Sequence, residues 1–402
     1  MAANKHSITD TSKAKTSVAV LWLNYGPYHV ARARALAKRH EFDCHFVELT
    51  GTEETHPWAP LASPPEFKLL TLSRHGLPSG RAAQIVTHEL NRLNPDIVVS
   101  SGYGLKEMRA AARWARREGK LSILTFETTR RDRSRYWGKE WLKSLLVRRY
   151  YDAAFVGGSL HRTYLEELGM HPGRIFEPYD VVDNNYFESS AANTRSLGDC
   201  ERRRLRLPAR YFLYVGRYAP EKNLFRLLRA YGIYRSRYPN GWALVLVGEG
   251  PENRLLQQLA SELCLPDVVW ASFKQIDELP AHYALAHCFI LPSTSEPWGL
   301  VVNEAMACGL PVLVSNRCGC APDLVRTNEN GFLFDPHSVD EIAELLHKVS
   351  LFSELQLRQM GMSSRSIISR YTPEIFARNL TKCLRAVVGE KTFNQHRANK
   401  SR

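Results

Sequence analysis

Apolar residues occur along this chain in short runs, separated by longer stretches in which apolar and polar residues alternate with helical spacing. Short apolar runs are typical of strands buried in a parallel sheet, and a period of 3.6 residues is typical of helices covering it. In the first half, this pattern predicts strands at 17–24, 42–49, 67–72, 95–100, 122–126 and 153–156. It predicts helices at 28–39, 81–93, 105–118, 139–149 and 160–168. Such alternation indicates a doubly wound parallel sheet.

The alternation stops between residues 183 and 208, where the chain is polar, small and charged, and then begins again. The later pattern predicts strands at 211–216, 242–248, 288–292 and 311–315, and helices at 223–238, 252–263, 278–286, 300–308, 339–349, 354–370 and 373–388. We therefore predict a flexible tail at 1–15, α/β domains at 16–185 and 208–370, a linker at 186–207 and a basic tail at 389–402. Ligands of such sheets bind beyond the carboxyl ends of the strands, which predicts a cleft between the domains.

The composition is that of a globular protein, with 44% hydrophobic and 24% charged residues among 402. These values exclude a disordered chain and a collagen, and no window of about 20 apolar residues predicts a membrane span. The first 15 residues lack the apolar core of a secretory signal, and eight scattered cysteines predict reduced thiols, so we expect a cytoplasmic protein. Cys318 and Cys320 have no second pair at zinc-ligand spacing, and we expect buried thiols there.

Several common motifs are absent from the sequence. There is no P-loop, no HExxH or GxSxG motif, and no Asp-x-Asp pair for a metal-bound diphosphate. Gly102 and Gly104 follow a predicted strand, but Glu107 stands where a dinucleotide fingerprint needs a small residue. The net charge of +13 nevertheless indicates an anionic partner, and it is compatible with nucleic acid, a membrane surface or a phosphorylated substrate, as well as with solubility alone.

Two cations flank the first strand-to-helix turn of the second domain. Arg217 follows the strand at 211–216, and Lys222 precedes the next helix, whose N-terminus favours anions. The alternative is a solvated pair of side chains at a turn. The next strand ends in a glycine turn at 248–251, which would let a ligand approach the backbone closely.

Two carboxylates flank a later helix N-terminus in the segment 295–312. Glu296 lies in the loop after a strand, and Glu304 lies in the second turn of the helix that begins near Gly299. Free amides at such a terminus suit a phosphate or a sugar hydroxyl, and each carboxylate can accept two hydrogen bonds from a diol. The alternative interpretation of Glu304 is a surface helix residue.

Together these segments resemble glycosyltransferase family 4, the retaining GT-B enzymes. The resemblance rests on Gly216-Arg217 with Glu221-Lys222, on Gly248-Glu249-Gly250-Pro251, and on Glu296 with Glu304 in an E-x7-E frame, in the family's order. It implies a GT-B fold of two Rossmann-like domains, with the helix at 373–388 crossing back to the first. It also implies transfer of a hexosyl unit from a UDP- or GDP-linked sugar to an acceptor hydroxyl with retention. The alternatives are a GT-B epimerase or phosphorylase, and a sugar-nucleotide sensor.

The resemblance also implies roles for individual residues. Arg217 and Lys222 would bind the donor diphosphate and stabilise it as it leaves, which makes a metal or another cofactor unnecessary. Glu304 would bind the ribose, and Glu296 would hold the transferred sugar and act in catalysis. The implied donor site comprises Gly216, Arg217, Lys222, Gly248, Glu249, Gly250, Pro251, Glu296, Trp298, Gly299, Leu300, Val301 and Glu304.

The first domain departs from the family's pattern, so its acceptor cannot be named. Glu127 stands where many members have a histidine; it would bind the acceptor or brace the sugar, or else pair with Arg130 or Arg131. His29 follows the first strand and would face the cleft, or else be structural. These two are the catalytic candidates of this domain. The predicted acceptor side comprises Tyr25, Gly26, His29, Tyr103, Glu127 and Arg130.

Basic and apolar residues interleave at 130–149. This pattern is typical of an amphipathic helix at an anionic membrane surface, and it predicts peripheral association with the inner face. The alternative is an apolar stripe facing the core with a solvated basic face. No RNA- or DNA-binding signature is present, so nucleic acid is not an expected partner. The membrane-facing candidates are Arg135, Trp137, Lys139, Trp141, Lys143, Arg148 and Arg149.

Overall fold

The computed structural model describes residues 15–50, 58, 65–72, 79–132 and 135–400, without the side chains of 79 and 390–400. The predicted tail at 1–15 lies outside these ranges except for Lys15. The first domain contains a parallel sheet of seven strands: β1 (Ser17–Trp22), β2 (Asp43–Glu48), β3 (Leu69–Thr71), β4 (Ile97–Ser101), β5 (Leu121–Phe126), β6 (Ala153–Val156) and β7 (Ile175–Phe176). Their order is β3-β2-β1-β4-β5-β6-β7.

Helices connect these strands and cover the sheet. They are α1 (Pro27–Ala37), α2 (Ser79–Leu93), α3 (Lys106–Arg117), α4 (Trp137–Tyr150) and α5 (Ser159–Glu167). β1 pairs with β4 in parallel, from Val18 opposite Ile97 to Leu21 opposite Ser100. The central strands are apolar on both faces because helices bury both sides of the sheet.

The second domain contains a parallel sheet of six strands in the order β10-β9-β8-β11-β12-β13. These strands are β8 (Tyr211–Val215), β9 (Ala243–Val247), β10 (Val268–Ala271), β11 (Cys288–Leu291), β12 (Val312–Ser315) and β13 (Gly331–Phe334). The remaining helices are α6 (Asn184–Leu197), α7 (Asp199–Arg204), α8 (Leu224–Arg237), α9 (Asn253–Glu262), α10 (Leu279–Leu285), α11 (Leu300–Ala307), α12 (Ala321–Leu324), α13 (Val339–Ser350), α14 (Glu354–Ile368) and α15 (Pro373–Lys400). The predicted fold of two doubly wound domains is confirmed.

The last helix returns to the first domain. Phe376, Leu380 and Leu384 on α15 are fully buried in the same core cluster as Val18 and Val20 of β1. α15 also packs against α1. It extends to residue 400, beyond the predicted end at 388, so the predicted tail at 389–402 begins as helix. In the part of the chain that the structure describes, no helix is both long and apolar enough to span a bilayer.

The segment 186–207 is not the predicted linker. It forms most of α6 and all of α7, and Phe187 and Ala191 of α6 are fully buried in the core of the second domain. Asp183 caps α6 by accepting a hydrogen bond from the backbone amide of Tyr186 at 3.0 Å. The prediction failed because few apolar residues anchor this helix and small polar residues cover the rest. The edge strands β7, β10 and β13 were also not predicted.

Candidate active site

The carboxyl ends of β8 and β9 approach each other closely at two glycines. Gly216 and Gly248 have φ values of 151° and 142°, and a Cβ atom on Gly248 would lie 2.0 Å from the carbonyl oxygen of Gly216. Only glycine fits such an approach. The turn at 248–251 is fixed to the end of β8 because Tyr218 donates its amide to the carbonyl of Glu249 at 2.9 Å. The two predicted donor-site turns therefore form one surface at the cleft.

The two predicted cations lie beside this surface, each with a carboxylate partner. Arg217 Nη2 contacts Glu221 Oε1 at 2.8 Å, and Lys222 Nζ contacts Glu296 Oε2 at 2.5 Å. The second contact joins residues 74 positions apart in the chain. Glu296 Oε2 also accepts a hydrogen bond from Ser293 Oγ at 3.1 Å. The structure therefore brings Lys222, assigned to the diphosphate, into contact with Glu296, assigned to the transferred sugar.

Glu304 is completely buried, contrary to its alternative interpretation as a surface residue. Its Oε1 accepts a short hydrogen bond from the hydroxyl of Tyr28, and its Oε2 accepts one from the hydroxyl of Tyr283 at 2.7 Å. Burial raises the pKa of Glu304 to about 7, although both tyrosine hydroxyls act in the opposite direction. Tyr28 begins α1 of the first domain, so this contact crosses the cleft. It was not anticipated from the sequence.

Gly299 directly precedes α11 as its N-cap residue, and its φ of 104° lies in the region that favours glycine. The side chain of Trp298 is buried, and its Nε1 donates to Asn303 Oδ1 at 2.9 Å. Leu300 and Val301 are half-buried in the first turn. Trp298 can therefore offer only backbone groups to a ligand, and the role of its amide stays a prediction.

On the first-domain side, Glu127 directly follows β5 and is exposed to solvent. Its carboxyl interacts electrostatically with that of Asp180, which is itself 3.4 Å from the buried guanidinium of Arg32. Desolvation by the surrounding protein raises the pKa of both carboxyls, and the charge of Glu127 raises the pKa of Asp180 further. The predicted alternative, in which Glu127 pairs with Arg130 or Arg131, is wrong.

The loop that carries Glu127 also contacts the second domain. Arg131 Nη1 donates to the carbonyl of Asn316 at 3.2 Å, and Arg317 Nη2 donates to the carbonyl of Arg131 at 3.4 Å. Ser295, next to Glu296, donates its hydroxyl to the carbonyl of Asp132 at 3.3 Å. The Glu127 loop and the Glu296 loop therefore lie together across the cleft. Arg131 and Arg317 were not identified from the sequence.

A second set of contacts fixes the domains beside α5. The amide and hydroxyl of Ser159 each donate to Asp323 Oδ2 at 3.0 Å. His161 Nδ1 accepts from the amide of Gly158, which leaves Nε2 to donate to the carbonyl of Pro297 at 3.0 Å. The first contact lets a carboxylate of one domain cap a helix of the other.

Two predicted acceptor-side residues lie elsewhere. The side chain of Tyr25 is buried in the first domain, where its hydroxyl donates to the carbonyl of Val20 at 3.0 Å. Arg130 forms an ion pair with Glu167 on the outer surface instead. The sequence could not predict these side-chain directions, because adjacent residues in a loop can direct their side chains to opposite faces of the domain.

The other acceptor-side candidates are nearer to their predicted environment. His29 is half-buried with its ring 4.7 Å from that of Trp22. Gly26 lies just before α1, and a Cβ atom there would be 3.2 Å from Trp58 Cδ1. Tyr103 is half-buried against Phe126, and burial raises its pKa to about 12. Their predicted roles stay predictions.

α4 presents most of its apolar side chains to solvent. Trp137 is 89% exposed and Trp141 60%, and both Leu142 and Leu145 are exposed as well. Only Val147 of this helix is fully buried. The alternative of a core-facing stripe is therefore wrong for these four residues. The remaining basic candidates Lys139, Arg148 and Arg149 are also exposed.

Two membrane-facing candidates are engaged within the protein. Arg135 stacks over the ring of Tyr164 at 4.6 Å and donates to the carbonyls of Thr129 and Arg130. Lys143 Nζ contacts Glu140 Oε1 at 2.7 Å. Both cations are thus compensated and do not belong to the exposed surface of α4. Among the described residues, no group of three His, Cys, Asp or Glu side chains is placed to hold a metal ion.

A family model described as glycosyl transferases group 1 matches residues 201–361. The matched residues make up most of the second domain and include the predicted donor motifs. The chain is 34% identical over 197 residues to a GDP-mannose-dependent alpha-(1-6)-phosphatidylinositol monomannoside mannosyltransferase of Mycobacterium tuberculosis, an alignment covering 47% of this chain and 49% of that protein. It is 34% identical over 199 residues to a D-inositol 3-phosphate glycosyltransferase of Thermomonospora curvata, covering 47% and 46%. The chain thus spans about half the length of these relatives.

Solved structures resemble almost the whole chain. Anabaena HepE in complex with UDP and glucose superposes with a TM-score of 0.72 at 17% identity, covering 91% of this chain and 98% of that chain. Sucrose-phosphate synthase from Thermosynechococcus elongatus gives 0.71 at 17% identity, covering 94% and 100%. At this identity the likeness establishes the fold. The glycosyl transferases group 1 domain is thus one half of a GT-B fold.

Proposed function

We propose that this protein is a retaining hexosyltransferase that uses a UDP- or GDP-linked sugar as donor and needs no metal. The observation that carries the proposal is the 2.5 Å contact between Lys222 and Glu296 at the carboxyl edge of the second sheet. A cation suited to a diphosphate and a carboxylate suited to a sugar thus lie side by side, where the two halves of a sugar–diphosphate would meet. The E-x7-E frame and the family match support the same placement.

The chemistry follows from these charges. The bond between the anomeric carbon and the diphosphate oxygen breaks, and the diphosphate leaves with the bonding electrons. Arg217, Lys222 and the nearby helix N-termini stabilise the growing negative charge, while Glu296 stabilises the positive charge on the sugar. The acceptor oxygen bonds to the anomeric carbon from the same face, and its proton passes to a diphosphate oxygen. Glu127 lies on the opposite side of the cleft, where an acceptor would bind.

The first test is nucleotide binding, measured by thermal shift with UDP, GDP, ADP and their common sugar conjugates. Ligands that bind the native state raise the melting temperature. We expect a UDP or GDP series to stabilise the protein, and chelator to leave transfer unchanged. Failure of all nucleotides to bind contradicts the proposal, as does activity that is lost with chelator and restored by magnesium. Binding without turnover favours a sensor, and NMR of the product anomer tests retention.

The second test concerns the cations. We expect Arg217→Ala and Lys222→Ala each to lower kcat/KM by about 100-fold, the scale of losing one preorganised electrostatic donor. Arg326→Ala is a suitable control, because Arg326 is an exposed arginine of the same domain. Near-normal rates in either cleft variant contradict the assignment to the diphosphate.

For the acceptor we propose a molecule at an anionic membrane surface, reached through α4. The exposed Trp137 and Trp141 suit the interfacial zone of a bilayer, and Lys139, Arg148 and Arg149 suit its anionic headgroups. One of the relatives is named as a phosphatidylinositol monomannoside mannosyltransferase, which supports a lipid-linked acceptor.

A further inference from the structure

The carboxylate assigned to the nucleotide's ribose already has a hydrogen-bond donor on each oxygen. Tyr28 donates to Oε1 of Glu304, and Tyr283 donates to Oε2. Glu304 is 0% exposed, so a ribose cannot reach it unless one of these hydroxyls leaves. The two tyrosines differ in which domain holds them.

Tyr283 cannot leave easily. It is fully buried on α10, with its ring packed between Phe187 and Phe289 in the core of the second domain. Its contact with Glu304 therefore belongs to the permanent framework of that domain. The hydroxyl of Tyr283 holds one oxygen of the carboxylate and orients it toward the cleft.

Tyr28 is bound differently, because it belongs to the opposite domain. It is half-buried at the start of α1 in the first domain. Its ring reaches across the cleft to pack against the core of the second domain. Its hydroxyl donates to Glu304 as a ribose hydroxyl would. A nucleoside and Tyr28 thus compete for the same oxygen.

The aromatic cover extends beyond Tyr28. Trp58 lies edge-on to Tyr28 at 6.0 Å between ring centroids and packs against Phe273 at 5.4 Å. Phe273 follows β10 at the carboxyl edge of the second sheet, the edge where ligands of such sheets bind. Two aromatic residues of the first domain therefore cover neighbouring parts of this edge.

We propose that Tyr28 is a built-in competitor of the donor nucleotide, which occupies the ribose position on Glu304 and must leave it before the donor binds. This inference rests on the proposed function of Glu304. The apparent affinity for nucleotide is then the intrinsic affinity multiplied by the fraction of protein in which Tyr28 has left. Donor binding thereby releases a contact between the domains and alters the acceptor side of the cleft.

The test is calorimetry with UDP and GDP on the full chain. Tyr28→Phe keeps the ring and removes only the hydroxyl, which leaves Glu304 buried with one donor and disfavours the occupied state. A hydrogen bond to a charged group has the strength to change the affinity about ten-fold, so we expect nucleotide to bind about ten-fold more tightly. Tyr231→Phe is the control. The buried hydroxyl of Tyr231 donates to the carbonyl of Trp242 at 3.1 Å, remote from the cleft residues, so this variant should bind nucleotide with the affinity of wild type.

A double-mutant cycle sharpens the test. In wild type, Glu304→Gln weakens both the ribose contact and the competing Tyr28 contact, so the loss of affinity is partly offset. In the Tyr28→Phe background the offset is gone, and we expect a larger loss from Glu304→Gln. Unchanged or weaker nucleotide binding by Tyr28→Phe, with normal binding by wild type, overturns this inference alone. Absence of nucleotide binding in both proteins overturns the proposed function together with it.

Discussion

Glu296 and Glu304 are eight positions apart in the sequence, yet the fold gives them different surroundings. Glu296 lies in a loop and contacts the Lys222 ammonium, whereas Glu304 lies on α11 and contacts only tyrosine hydroxyls among the side chains that bond to it. A carboxylate beside a cation suits a site where charge changes during the reaction. A carboxylate surrounded by hydroxyl groups suits a diol that does not change during the reaction.

This difference predicts distinct kinetic effects. Glu304→Gln should raise the donor KM and leave kcat nearly unchanged, because binding that is equal in ground and transition states affects KM alone. Glu296→Gln should lower kcat more than it raises KM, because it removes charge that stabilises the transition state. Steady-state kinetics on both variants checks this, with calorimetry on free nucleoside diphosphate as a second readout. Similar behaviour of the two variants, or the reverse order, contradicts the placement of the donor.

Glu304 should also make folding stability depend on pH. Burial raises its pKa from 4.5 to about 7, so between these values the folded protein binds a proton that the unfolded chain does not. Proton binding by Glu304 therefore stabilises the folded protein at low pH, and this stabilisation is lost as the pH rises through 7. The loss lowers the free energy of unfolding by at most about 3 kcal/mol. Urea unfolding of wild type and Glu304→Gln at about pH 5 and about pH 8 measures it. Wild type should lose more stability than the variant, and parallel losses contradict the prediction.

At the level of single elements, α6 shows how little sequence signal a buried helix needs. Its Asn, Ser, Thr and Ala residues made 186–207 resemble a linker. Yet α6 packs against α10 and α11, and Phe187 lies edge-on to Tyr283 at 6.2 Å. This helix therefore supports the tyrosine that orients Glu304.

Phe187→Ala should lower the free energy of unfolding by about 3–5 kcal/mol, as expected for a large aromatic residue removed from a core. Asn185→Ala, at an exposed position on the same helix, should change it by less than about 0.5 kcal/mol. Urea unfolding of the two variants checks this. If both substitutions lower the free energy of unfolding by the same small amount, α6 is not anchored in the core, which contradicts the prediction.

At the level of the whole molecule, the two domains are held by separate groups of contacts around the cleft. One contact, between Ser159 and Asp323, lies at the start of α5. Another, between Arg131 and Asn316, joins loops near Glu296. α4 lies outside these contacts, on the first domain, with Trp137 and Trp141 exposed. A surface that binds a membrane there would leave the second domain free to bind the donor.

We expect the protein to sediment with vesicles of phosphatidylcholine mixed with phosphatidylglycerol, but less with phosphatidylcholine alone, and salt should weaken the binding. Arg148→Glu/Arg149→Glu should reduce binding, since each basic residue near such a surface contributes about 1 kcal/mol. Arg326→Glu/Arg358→Glu changes the net charge equally at exposed positions of the second domain and should bind as wild type. Equal loss in both variants indicates general electrostatics rather than an α4 surface.

The sequence by itself determined the alternation of strands and helices, the two domains and the three donor motifs. The helical period and the apolar runs are local properties, and each donor motif is a short stretch of residues that are close in sequence. These features can therefore be read along the chain without knowing what packs where.

Only the tertiary structure decided which side chains meet. The contacts of Tyr28 with Glu304 and of Lys222 with Glu296 join residues 276 and 74 positions apart, so no local pattern indicates them. The same holds for Glu127, whose charge interacts with those of Asp180 and Arg32 rather than with those of the adjacent arginines. Side-chain direction at a loop and the packing of two domains are set by the whole fold, and this is why Tyr25 and Arg130 were misplaced and Tyr28 was missed.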